Sequence, residues 1–205
     1  MKKVIPLLLI ILAGFLAGWF TLVPGLNLLL ETTRHIQKPG VVQNGSWGSS
    51  MEIGGSKASA MIRALVALSG LGANTSEEAM YWIAIQDDSG RLLRGGRAYE
   101  VRFAHLPPIH KTAGFWSICV YNSKDQFVPN PLKRYSLGDR SPLHKNSDGS
   151  FVIYVSPKPP KDIDNWLPSP EGGEPIVLTL RMYAPLPEAV RKPEQTPMPK
   201  IIQVR

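Results

Sequence analysis

After Lys2 and Lys3, no residue from Val4 to Leu30 carries a charge, and most are Leu, Ile, Val, Phe, Ala or Gly. A helix needs about 20 such residues to cross the roughly 30 Å hydrocarbon core of a bilayer. Pro6 and Pro24 lie near the ends of the run, where a helix tolerates them best. The sequence therefore predicts a transmembrane anchor over residues 1–30, meeting the lipid bilayer through residues 4–30. A cleaved signal peptide is the competing reading. Its apolar region normally runs to about 7–15 residues and closes on a small-x-small site. Cuts after Ala17 or Gly18 would place Phe15 or Leu16 three residues from the cut, which favours a retained anchor. The paired lysines should stay on the cytoplasmic side. That predicts a single-pass protein of a bacterial inner membrane with its C-terminal domain in the periplasm.

The rest of the chain suits one domain, since domains usually span roughly 100–200 residues. The chain's 19 prolines and 18 glycines separate short apolar runs, a pattern of β-structure rather than long helices. The formal charge of +7 is spread along the chain, with no Lys/Arg block and no basic-aromatic motif, so no nucleic-acid partner is expected. Cys119 is the one cysteine, which excludes an intrachain disulfide. Its place inside an apolar strand predicts a buried, inert thiol.

Residues 31–56 are polar and rich in Gly and Ser, with Trp47 isolated in Asn44-Gly45-Ser46-Trp47-Gly48-Ser49-Ser50, and read as a stem. Lys57 to Ser69 reads as a helix, with Met61, Leu65 and Leu68 in one stripe widened by Ile62 and Val66. Ser56 is a cap for its start, and Gly70 and Gly72 are stops for its end. The apolar period then changes to two. Strands are predicted over Met80–Gln86, around Tyr99–Phe103, over Phe115–Tyr121 and Phe151–Val155, and finally over Ile176–Tyr183. Trp82 and Trp116 alternate within such strands and belong to the core. The domain of residues 57–184 is thus expected to be mainly β, a jelly-roll-like antiparallel β-sandwich with one or two short helices. Residues 185–205 read as a proline-rich tail, extended or partly ordered.

Several ordered motifs carry a resemblance. These are Gly70-Leu71-Gly72-Ala73-Asn74 with Glu77-Glu78-Ala79, Gly114-Phe115-Trp116-Ser117, Asn130-Pro131, Arg134-Tyr135-Ser136-Leu137-Gly138-Asp139-Arg140, and Asn165-Trp166-Leu167-Pro168. Together, from about Lys57 to Ala184, they resemble the domain-of-unknown-function 1214 family. In many members that domain follows a companion, number 1254 of the same series, and the pair resembles stacked jelly rolls. Here a membrane helix takes the companion's place. The resemblance implies a fold and assigns no activity.

The segment from Arg134 to Arg140 is the densest polar constellation, joining Arg134, Tyr135, Asp139 and Arg140 around Gly138. A guanidinium presents a planar fork to carboxylate or phosphate, so an acidic partner or small anion is a reasonable ligand, with Arg102 and His144 as helpers. The plainer reading ties Asp139 to an arginine within a loop and packs Tyr135 inward. Trp166 either staples its loop or faces a ligand. His35, His105, His110 and His144 show no HxH or HxxxH spacing, and no metal or other cofactor is expected. No G-x-S-x-G elbow or phosphate-binding glycine loop occurs. The sequence points to a membrane-anchored module that binds or assists an envelope or membrane-protein complex. The alternative is an envelope enzyme or binding protein acting on a sugar or small organic anion.

Overall fold

A computed structural model describes residues 4–33, 41–56, 58–70 and 72–204, with the side chains of the first helix described without a break over 8–22. The chain divides into two compact units, Met1–Pro39 and Gly40–Arg205. In the first unit, α1 (Val4–Thr33) is helical, and Leu8, Ile10, Phe15, Trp19 and Phe20 on it are exposed. The span expected over 1–30 is not found as such: no helix among the described residues is long and apolar enough to cross a membrane.

The second unit is mainly β, built from two sheets with few helices. One sheet has six strands in the order β1 (Val41–Asn44), β2 (Trp47–Ser50), β3 (Ala79–Ala84), β9 (Ile176–Tyr183), β5 (Phe115–Asn122) and β6 (Ser136–Gly138). The other has four, in the order β10 (Lys200–Val204), β4 (Ala98–Phe103), β7 (Phe151–Ser156) and β8 (Trp166–Pro168). All pairings are antiparallel except β7 with β8. The predicted alternation turns Trp82, Trp116, Ile118, Leu178 and Leu180 of the larger sheet and Tyr99, Val101, Ile153 and Val155 of the smaller into one core. Phe103, Trp116 and Phe151 join the sheets, with centroids 5.3 Å (Phe103–Trp116), 5.8 Å (Trp116–Phe151) and 4.5 Å (Phe103–Phe151) apart. Such aromatic packing adds to the apolar area each ring removes from water.

Both ends of the domain differ from expectation. Residues 41–50 are no stem. They form a hairpin that extends the larger sheet, turning at Gly45 with φ +59°, a conformation two-residue hairpin loops favour. Trp47 is 1% exposed, and its indole N–H donates to the Pro199 carbonyl at 2.7 Å. Likewise 185–205, expected as an extended or partly ordered tail, is built into the domain: it holds α3 (Pro187–Arg191), a 3-10 turn at Pro193–Gln195, and β10, which pairs with β4 along its full length. The Asn44 amide donates to the carbonyls of Pro193 and Thr196, fastening these two ends together. The helix predicted from Lys57 starts later, as α2 (Ala60–Ser69). Its cap is Ser59, not Ser56: the hydroxyl accepts the Ile62 N–H at 3.2 Å, and Gly70 ends it. The side chains of its expected stripe, Met61, Leu65 and Leu68, lie outside what the structure describes, as do stem residues 34–40.

Candidate functional site

With Trp82, Trp116 and Leu180 turned inward, the alternate residues of β3, β9 and β5 must face away from the core. Register places them in rows across the sheet: Tyr183 beside Phe115, Tyr81 beside Arg181 and then Ser117, Ile83 beside Thr179 and then Cys119, and Val177 beside Tyr121. Arg181 thus sits on the middle strand of the three, half-buried. One terminal nitrogen donates to the Tyr121 hydroxyl at 2.9 Å and the other to the Cys119 sulfur at 3.3 Å, and the guanidinium carbon lies 5.4 Å from the Tyr121 ring centre.

Aromatic rings surround this cation. Phe115 and Tyr183 stack at 4.1 Å, and the Arg140 guanidinium lies 4.9 Å over Phe115. Tyr121 stacks on Phe127 at 4.9 Å, and Phe127 meets Tyr135 at 5.2 Å. Ile83 adds an apolar side chain 45% exposed. Burial pushes the Cys119 thiol up despite the nearby Arg181, and pushes the Tyr121 and Tyr183 phenols up as well. Burial pulls the Arg181 value down, but Cys119 and Tyr121 outweigh it and hold it above the ordinary guanidinium range. Arg181 is therefore a permanent cation whose partners are neutral groups. No carboxylate of the described residues forms an ion pair with it.

The structure does not gather the sequence-predicted residues at one point. Arg134 donates to the carbonyls of Ile163 and, at 3.0 Å, Trp166, while the Asn130 carboxamide holds its backbone from both sides. Its guanidinium fastens the loop before β8. Tyr135 is 37% exposed against Phe127 rather than packed inward. The Asp139 carboxylate accepts the Trp116 N–H at 3.2 Å, not an arginine. Gly138 lies in β6, where a Cβ would collide with the Trp116 carbonyl. Arg102 pairs with Glu100 at 2.6 Å on the other sheet. His144 sits 3.1 Å from Asp162 and 3.4 Å from Asp164, and its backbone is clamped by Asn165. Trp166 is 6% exposed, donating its N–H to the Ser156 carbonyl at 2.9 Å, so it staples its loop. Only Arg140 and Tyr135 border the aromatic face.

Sequence reading missed Arg181, Tyr121 and Tyr183 as a group. The available signal was the outward set of the last predicted strand, Val177, Thr179, Arg181 and Tyr183, in which one cation interrupts an otherwise uncharged series. A depression of about 120 Å³ beside His144 and another of about 280 Å³ beside Asp87 and Ile202 lie elsewhere. Both fall below the roughly 300–1,000 Å³ of clefts that enclose small ligands. The aromatic face is a sheet surface, suited to another surface.

The family described as "Protein of unknown function (DUF1214)" matches residues 78–187. Among solved structures, the VPA0106 protein from Vibrio parahaemolyticus is 29% identical with a TM-score of 0.58, over 73% of this chain and 36% of that one. An uncharacterised protein from Burkholderia cenocepacia is 15% identical with a TM-score of 0.46, over 70% of this chain and 33% of that one. The chain spans about a third of the length of these two structures. No curated protein matches it.

Proposed function

This chain belongs to the DUF1214 family, a membership that assigns no activity, and we propose that it is a membrane-tethered, jelly-roll-like β-sandwich that serves as a binding or accessory subunit of a cell-envelope complex. The tether is residues 4–30 in a bacterial inner membrane, with the domain in the periplasm. Its support is the uncharged run that follows Lys2 and Lys3. The observation that carries the binding role is the outer face of the six-stranded sheet, where Phe115, Tyr121, Tyr183 and Ile83 surround Arg181. Tyr, Phe and Arg are enriched in the buried centres of protein interfaces, because rigid rings offer large contact area and a guanidinium bonds in several directions. Such a surface works without a catalytic constellation.

The test is recovery of the full-length protein from its own washed membranes. It should leave them only in detergent and run, in a mild one, at a native mass above that of the monomer plus micelle. Ile83→Glu, which places a charge in the middle of the face, should return it to the monomer. Release without detergent contradicts the tether, and a free wild-type monomer contradicts the binding role.

A further inference from the structure

We infer that the partner protein presents an Asp or Glu carboxylate, flanked by apolar residues, to Arg181. This rests on the reading of the sheet's outer face as a docking surface. A guanidinium has N–H donors along two edges, and here one donor on each terminal nitrogen is engaged, by the Tyr121 oxygen and by the Cys119 sulfur. Neither acceptor carries charge at neutral pH, since burial pushes both their titrations up. The remaining donors belong to a fixed cation with no carboxylate partner among the described residues.

A carboxylate is the group whose planar geometry matches that fork. The Tyr121 hydroxyl accepts from Arg181 and is itself hydrogen-bonded to the Cys119 side chain, so an arriving carboxylate oxygen would meet the remaining guanidinium donors. Apolar flanks follow from the surroundings. Phe115 and Tyr183 lie on one side of Arg181 along the strands, and Ile83 lies on the next row on the other side. Apolar groups seated there would exclude water and strengthen the ion pair they enclose. The flat sheet surface favours a protein segment over a small free acid, which needs a concave site to bury most of its surface. Arg140, over Phe115, supplies a second cation at the rim, and the chain's net charge of +7 draws acidic partners toward it.

The experiment uses the full-length protein in detergent as bait for a phage-displayed random peptide library. Enriched peptides should share an Asp or Glu between apolar residues. Replacing that acid by its amide should weaken binding roughly ten- to a hundredfold, the worth of a charge-assisted hydrogen bond in a dry site. Arg181→Gln should do the same, and the two changes together should cost little more than either alone. Where thermal melting shows Arg181→Gln to be unfolded, Arg181→Lys replaces it, since it keeps the charge and loses the fork, and should weaken binding by a smaller factor. Peptides without an acid that still lose binding to Ile83→Glu would overturn the carboxylate and leave the docking surface standing. Peptides insensitive to Ile83→Glu, or no enrichment at all, would overturn both.

Discussion

Asp87 has a side chain only 1% exposed, yet it is held ionised. Burial alone would push its carboxyl up, but the Ser89 hydroxyl and N–H, the Arg91 N–H and the Arg91 guanidinium all donate to it, and together they hold it below the ordinary value of 3.8. Asp88 beside it accepts from the Ser46 hydroxyl and the Ile201 N–H, so this turn joins the first hairpin to the last strand. Asp87→Asn leaves donors facing a group that accepts at fewer positions, and should cost about 1–3 kcal/mol. Because the folded value lies below the unfolded one, the carboxylate's contribution is complete above the ordinary carboxylate range and is lost as pH falls through the folded value. Urea midpoints of the wild type should therefore drop more steeply than those of the variant as pH is taken below about 4. Parallel curves would show that Asp87 is not the group responsible. The sequence shows Asp87-Asp88-Ser89-Gly90 as a turn, but which of the two acids is buried depends on a strand more than a hundred residues away.

At the scale of elements, legibility followed the strength of the period-two pattern. Strands β3, β4, β5, β7 and β9 alternate large apolar side chains and stand where the pattern puts them. The hairpin β1–β2 has four-residue arms in which Gly48, Ser49 and Ser50 give no apolar period, so only Asn44-Gly45 announced it. Strand β10 follows a proline-rich stretch and buries only Ile201 fully, at 0% exposure, which is too little to register as a pattern. Both weak elements are specified by what they pair with. Ile201→Ala should cost about 2–5 kcal/mol, the usual range for emptying a core position, read as a fall in thermal midpoint. Truncation after Pro199 should do more, baring the edge of β4 to pairing with other chains and turning the melt into aggregation. A truncated chain that melts reversibly at the wild-type temperature would return 185–205 to the status of a tail.

Over the whole domain, the two sheets turn unlike faces outward. The smaller sheet shows charges that neutralise each other, as Arg102 and Glu100 do at 2.6 Å. The larger shows stacked rings around an arginine that pairs with no acid among the described residues. The motifs from Gly114 to Pro168 made the family legible in the sequence, and alternation made the β class legible. The binding face was not, because it is assembled from three strands that are neighbours only after folding: β3, β5 and β9 lie far apart in the chain. Photocrosslinking in living cells compares the two faces directly. With Ile83 replaced by p-benzoylphenylalanine, ultraviolet light should join the protein to one recurrent partner, and with Arg102 replaced in the same way it should not. No adduct from position 83, or the same adducts from both positions, would contradict a domain that works through the arginine-centred face of its larger sheet.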